Sequence, residues 1–347
     1  MKTQIHTFEL VTDLAYDAYH TCRDHFFEDA KGRKGWCFQS NPQRLTYTRW
    51  LERGITIHLD TNSPAVYLRI KINPSKLLGN MDALTLFDVT EESAEALIES
   101  IQAVIDFLPI DLSVASFRLS RLDLCRNLNV PNQKTIEEYL RLLERSARRK
   151  KWLASHYDDE RRDHSFRRSN DRYQVTVYDK LYQIQDRNLA TEWDSSDKIL
   201  RVEVSLLSAG IQHICRKFQL NTVDWGTQFY DLSQLGAEIT NYILSKLIFP
   251  GSYYSLDAAR YLISASFRPA KAAKLIQFLI DINRSQAVDK KAIKNYPNGK
   301  HRLQQLLDCG INPVMIECRA GISCLPSLFI ESVSDEISAV YYSNDLK

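Results

Sequence analysis

The chain reads as an α+β protein, an antiparallel sheet with helices interleaved among its strands, followed by a mainly helical C-terminal part. Three observations support this. Short runs with period-two alternation recur up to about residue 220, two longer stretches among them have helical spacing, and beyond residue 220 helical spacing takes over.

In chain order, 5–11, 45–50, 55–59 and 66–72 alternate or are rich in β-branched and aromatic residues, and Pro74 is expected to end the last of them. From 91 to 107, Ala94, Leu97, Ile101, Val104 and Ile105 form one apolar stripe, and 135–149 behaves likewise, so both are expected helices. Three further strands are expected at 120–126, 172–180 and 200–205. Helices are expected at 227–247, 256–266, 269–283 and 301–309. The chain is therefore divided into 1–220 and 221–347. The stretch 269–310, two apolar helices around a connector with Lys290, Lys291, Lys294 and Lys300, is a candidate helix-turn-helix for duplex DNA.

A chain of 347 residues, 44% hydrophobic, is long enough for a sizeable core. Its seven cysteines have no zinc-ligand spacing, which points to free thiols in a reducing compartment. The first residues lack a signal-peptide apolar core, and no apolar run approaches the ~18 residues that span a bilayer. A cytoplasmic protein without membrane association is expected. There are no tandem repeats and no Gly-rich phosphate loop, so nothing suggests a fused helicase motor.

The chemistry-bearing residues lie on three of the expected strands. Alternation puts Arg121, Asp123 and Cys125 on one face of the first, Tyr178 and Lys180 with Gln174 and Thr176 on one face of the second, and Arg201, Glu203 and Ser205 on one face of the third. Leu122, Leu124, Val175, Val177, Val202 and Val204 take the opposite, core-facing side. If the strands share a sheet, a Tyr, a Lys, two carboxylates and two Arg converge. A phenol with a reference pKa near ~10 attacks a phosphodiester only when cations neutralise the phosphate, and two carboxylates can hold a hard divalent ion that polarises it. The set suits phosphoryl transfer, with Lys180 and the arginines steadying the developing charge.

Net charge is only +2, but ten Lys or Arg against five acids lie between Arg145 and Arg172. Arg148, Arg149, Lys150, Lys151, Arg167, Arg168 and Arg172 are the expected phosphate contacts, and Trp152, His156 and Tyr157 could stack on unpaired bases.

The motifs resemble a known family. From about residue 66 to 310 the chain is similar to the gene II (II/X) replication initiators of filamentous phages and their plasmid and vibriophage relatives. The resemblance rests on 70–78 (IKINPSKLL), 120–123 (SRLD) followed by 129–132 (NVPN), 177–180 (VYDK), 200–203 (LRVE) and 307–312 (LDCGIN). It implies an HUH-like, Rep-type nickase domain and a rolling-circle initiator that cuts one strand of a double-stranded origin. Tyr178 falls on the nicking tyrosine, with Lys180 two positions on, and Asp123 and Glu203 fall on the acidic positions expected to bind Mg²⁺ or Mn²⁺. The His-apolar-His ligand motif of many such nickases is missing, and His58 is the nearest candidate for a third ligand, with Asp60 beside it. Tyr182 is a candidate auxiliary tyrosine. Host helicase and polymerase are the implied partners, with the displaced single strand as a second DNA ligand.

Two other readings remain open. His164, Ser165, Phe166 and Arg167 followed by Tyr178 imitate part of a tyrosine recombinase signature, although that class presents its tyrosine from a helix. A non-catalytic origin-binding protein would use the same sheet only as a platform.

Overall fold

The computed structural model describes residues 3–62, 64–146, 152–154, 164–189, 191, 198–220, 224–284, 287–288, 290–317 and 320–330. In chain order it begins β1 (Gln4–Leu14), α1 (Tyr16–Asp29), β2 (Cys37–Asn41), β3 (Arg44–Tyr47), β4 (Ile55–Asn62), β5 (Ala65–Ile72), α2 (Pro74–Leu77) and α3 (Glu91–Ile105). Then come β6 (Arg118–Val130), α4 (Gln133–Ser146), β7 (Leu153–Ala154), β8 (Ser165–Ser169), β9 (Tyr173–Asp179), α5 (Lys180–Asp186) and β10 (Lys198–Leu207). The remainder is α6 (Ser208–Phe218), α7 (Trp225–Gln234), α8 (Gly236–Leu247), β11 (Tyr253–Tyr254), α9 (Leu256–Ser266), α10 (Pro269–Asn283), α11 (Lys290–Asn295), α12 (Gly299–Asp308) and β12 (Cys324–Leu325).

The first ten strands form one antiparallel sheet in the order β2-β3-β4-β5-β1-β6-β10-β9-β8-β7. Its alternation is the one the sequence implies: Leu122, Leu124, Val175, Val177, Val202 and Val204 point into the core, and the polar residues between them share the other face. The core face is packed by helices. Phe8 of β1 meets Phe229 and Trp225 of α7 at ring-centroid distances of 4.8 and 6.1 Å, and Arg168 of β8 pairs with Glu144 of α4. Helix α3 starts at a capping box between Thr90 and Ser93 and buries Leu97, Ile101, Val104 and Ile105.

The structure departs from the sequence reading at Pro74, over 227–247 and at Trp152, and it adds helices α1, α5 and α6. Pro74 does not merely stop a strand; it occupies the first turn of α2, where its missing N–H costs nothing, and the Asn73 side chain caps that turn by accepting from the Lys76 N–H at 3.1 Å. The helix expected over 227–247 is two helices meeting at Leu235, and Gly236, which opens the second, packs so close to Thr3 that a Cβ there would approach the Thr3 side chain to 3.0 Å. Trp152 is not a free stacking platform; it is 9% exposed and belongs to the main core.

Beyond β10 the elements among the described residues are helices apart from the two-residue pair β11 and β12. One hydrophobic cluster runs from Ile5 to Leu328, and the segment 320–330 returns to β6 and α4: Arg126 donates to the Leu328 carbonyl at 2.5 Å and Tyr139 to that of Pro326 at 2.9 Å. Among the described residues no helix is long and apolar enough to cross a membrane. Cys22, Cys37, Cys125, Cys215, Cys309 and Cys324 are free thiols.

Phe8 carries the contact between the sheet and α7 at zero exposure. Phe8→Ala is expected to lower stability by about 3–5 kcal/mol in urea unfolding, the range for truncating a buried aromatic.

Candidate active site

Strands β6, β10 and β9 are direct neighbours, and their register aligns the polar residues in rows. Asn127, Arg201, Tyr178 and Ser165 form one row, Cys125, Glu203, Thr176 and Arg167 the next, and Asp123, Ser205, Gln174 and Ser169 the third. Directly opposed side chains in such a sheet lie roughly 4.5–5.5 Å apart at Cβ, so the grouping follows from register alone.

The fourth strand adds what alternation would forbid. On β1, Ile5 pairs with Leu124 and Phe8 with Leu122, so two residues, His6 and Thr7, stand where β6 has only Asp123. This bulge keeps Ile5 and Phe8 in the core and turns both intervening side chains to the polar face. His6 Nδ1 hydrogen-bonds Glu203 Oε2 at 3.1 Å, and the Thr7 hydroxyl donates to Asp123 Oδ2. Arg121 completes the belt, donating from Nε to Asp123 Oδ1 at 2.8 Å and from Nη2 to the Ser205 hydroxyl at 3.0 Å. Cys125 Sγ lies 3.5 Å from Glu203 Oε2.

One end of this face is roofed. Ile199, on the polar side of β10, packs with Leu84 and with Ile184 of α5, and the Leu84 carbonyl accepts from Arg201 Nη2 at 2.9 Å and from Asn127 Nδ2 at 3.0 Å. Arg201 is thereby wholly buried, with its Nε also donating to Asn127 Oδ1 at 2.7 Å. Lys180 is 2% exposed and donates to Gln183 Oε1 at 2.8 Å. The other end opens into a cleft of about 220 Å³ whose lining includes His6, Arg121, Asp123, Tyr178, Tyr182 and Glu203.

Charge in this pocket follows its dryness. Burial pushes the Tyr178 phenol well above its ordinary value, the negative Glu203 adds to this, and the Arg201 guanidinium opposes it. Burial pushes Lys180 down to about 7, helped by the positive Arg201. Burial would raise the Glu203 carboxyl, but the hydrogen bond from His6 and the charges of Arg121 and Arg201 overcome it and hold the group ionised. His6 is lowered by burial against the pull of Glu203, which favours a neutral imidazole that donates to a carboxylate.

The structure brings together Tyr178, Arg121, Asp123 and Glu203, with Lys180 just beneath them and Arg167 on the cleft rim. It rearranges the other sequence-derived candidates. Strand β9 ends at Asp179, whose side chain caps α5 by accepting from the Tyr182 N–H at 3.0 Å, so Lys180 and Tyr182 are helical and do not continue a strand face. Tyr182 still reaches the cleft, stacked on His164 with ring centroids 3.6 Å apart. His58 is not with the acids. It sits on β4, three strands from β6, hydrogen-bonded to Thr46 at 3.1 Å, and Asp60 beside it is tied to Arg44 and Arg69. Arg201 cannot meet a DNA phosphate because it is buried under Leu84. Arg168 faces the core side against Glu144 and Phe166, and Arg172 lies at the far end of the β8-β9 hairpin, roughly 20 Å along the strand from Tyr178.

Arg148, Arg149, Lys150, Lys151, His156 and Tyr157 lie outside the described residues. Lys290 and Lys291 open α11, and the Lys291 side chain is exposed. The residue that sequence reasoning missed is His6. No motif marks it, and only the bulge, readable as two polar residues between the core positions Ile5 and Phe8, hinted at it.

Lys180 supplies a pH test. The unfolded chain keeps this proton up to about pH 10.4, whereas the folded protein releases it near 7. The unfolded state therefore binds more protons between those values, and stability rises with pH across the window. Urea unfolding between about pH 7 and pH 9 is expected to show this rise in the wild type and a flatter profile in Lys180→Met.

A sequence model of the phage replication-associated protein family, covering the N-terminal part of the gene II protein, matches residues 38–224, more than half of the chain. The match includes Asp123, Tyr178, Lys180 and Glu203 and begins after His6. A comparison with curated proteins found no match. With the sheet, the three aligned motifs and this match together, the chain belongs to the phage replication-associated protein family, the filamentous-phage gene II type of replication initiator.

Proposed function

We propose that the protein initiates rolling-circle replication by nicking one strand of a double-stranded origin through a 5′-phosphotyrosyl intermediate. The observation that carries this reading is the convergence of Tyr178, Glu203, Asp123 and Arg121 on one face that opens into a single cleft. In this scheme the Tyr178 oxygen attacks phosphorus, the bond from phosphorus to the 3′ oxygen breaks, and the 5′ phosphate stays on the protein. The free 3′-OH then primes a host polymerase behind a borrowed helicase. Attack by the 3′ end of the displaced strand on the phosphotyrosine reverses the chemistry and rejoins it.

The roles follow from the local physics. The raised Tyr178 phenol keeps its proton in the resting state, so attack requires positive charge delivered together with the substrate phosphate. Arg121 lies at the cleft and is half committed to Asp123, which orients it toward an incoming phosphate. Lys180, balanced near 7, can carry a proton toward the departing 3′ oxygen. His6, Glu203 and Cys125 bring one donor atom each within 4.8 Å of one another, so these residues could hold a divalent cation. Asp123 backs this group, with one oxygen on Arg121 and the other on Thr7. A bound cation would polarise the phosphoryl group and favour departure of the 3′ oxygen.

The duplex is held by cations around the cleft. Arg121 and Arg167 are the contacts nearest the tyrosine, and Lys290 with Lys291 on α11 are proposed to touch the origin at a second place. A second assignment of the nucleophile has one observation in its favour: Tyr182, on the first turn of α5, lines the same cleft and is less buried than Tyr178.

Supercoiled DNA carrying the cognate origin, incubated with and without Mg²⁺ or Mn²⁺, tests the reading. A metal-dependent nick with a 5′ adduct on Tyr178 is expected. Tyr178→Phe is expected to cut the rate by on the order of 10³ or more, while Tyr182→Phe keeps the adduct; the opposite pattern moves the nucleophile to Tyr182. A 3′ adduct would favour recombinase chemistry, and tight binding without a nick an origin-binding platform. Glu203→Ala and Asp123→Ala are each expected to lose nicking at limiting metal, and full activity in both would remove the metal from the mechanism.

A further inference from the structure

We infer that Cys125 is a metal ligand, and that the pocket formed by His6, Cys125 and Glu203 takes a borderline ion of the zinc or cobalt type in preference to Mg²⁺. The inference rests on the metal-assisted part of the proposed function and goes beyond it, because it identifies the class of ion from this chain's own donor set.

The geometry already approximates a coordination sphere. Bonds of about 2.0–2.3 Å to a tetrahedral ion place donor atoms roughly 3–4 Å apart. His6 Nδ1 stands 3.1 Å from Glu203 Oε2, Cys125 Sγ stands 3.5 Å from the same oxygen, and all three donors fall within 4.8 Å. They come from three adjacent strands whose register fixes their spacing: β1 at its bulge, β6 and β10. His6 and Glu203 line the cleft while Cys125, 1% exposed, lies beneath it. Three protein donors with an open side toward the cleft is the arrangement of an ion that also meets a substrate.

The donor chemistry selects the ion. Mg²⁺ demands near-octahedral oxygen ligands, and this pocket offers one free carboxylate. Asp123 has its two oxygens occupied by Arg121 and Thr7, and Glu9, opposite Arg121 on β1, is bonded to Arg69. A thiolate with an imidazole suits zinc and its neighbours. When the sulfur–metal bond forms, the thiol proton leaves to solvent, so the ligand binds as the thiolate.

The test is a titration of the full-length chain with Co²⁺, whose bond to a thiolate gives a charge-transfer band in the near ultraviolet. The expected result is a band that saturates at one equivalent, disappears when equimolar Zn²⁺ is added and survives a hundredfold excess of Mg²⁺. Cys125→Ser is expected to abolish the band, and His6→Gln to weaken Co²⁺ binding by about tenfold or more; Cys215→Ser, remote from the pocket, leaves both unchanged. A band that persists in Cys125→Ser, or one that equimolar Mg²⁺ removes, overturns the inference. The wild-type competition alone decides the choice of ion, so the result does not hang on the folding of a variant. Sulfur-ligated Co²⁺ without nicking would refute the nickase reading and leave this one standing, whereas nicking with Mg²⁺ and no sulfur band would do the reverse.

Discussion

The candidate site depends on one constraint, the antiparallel register that sets Glu203 opposite Cys125 on one side and opposite Thr176 on the other. A slip of one residue in β10 would send Glu203, Arg201 and Ser205 into the core and bring Val202 and Val204 to the cleft. The apolar residues on the reverse face forbid that slip, since Val202 and Val204 are almost completely buried. Core packing therefore holds the chemistry in place, and the tyrosine, the acids and the arginines need no long-range contacts of their own to find one another.

Placing charges on a dry face costs free energy, and the molecule offsets that cost by pairing. Glu203 meets His6, Asp123 meets Arg121 and Thr7, and Arg201 directs its donors to Asn127 and a backbone carbonyl. The roof formed by Leu84 and Ile184 intensifies the Arg201 contacts by excluding water. It also explains why Arg201 serves the site from below. The buried Arg201 guanidinium acts on Tyr178 through the low-dielectric interior, while Arg121 lies at the cleft.

The bulge in β1 joins the two halves of this arrangement. A regular strand would offer one side chain to the polar face between Ile5 and Phe8, and the site uses two, one for each carboxylate. An extra residue is left unpaired in the ladder, and the local hydrogen bonding is weaker for it. What the molecule gains is a histidine donor at a place where no helix or loop from the rest of the fold supplies one among the described residues.

Much of this was legible in the sequence. The α+β class, the strands around Asp123, Tyr178 and Glu203, and the helices at 256–266 and 269–283 follow from periodicity, because burial of one face imposes it directly on the residue order. The sharing of a face by Tyr178, Asp123 and Glu203 was legible for the same reason. Tertiary structure decided what periodicity does not encode: the bulge that recruits His6, the roof that buries Arg201 and Lys180, the turn from strand to helix at Asp179, and the distance that separates His58 from the acids. Each of these depends on which strand lies beside which, and strand order is set by the packing of the whole sheet and its helices, a property no local run of residues contains.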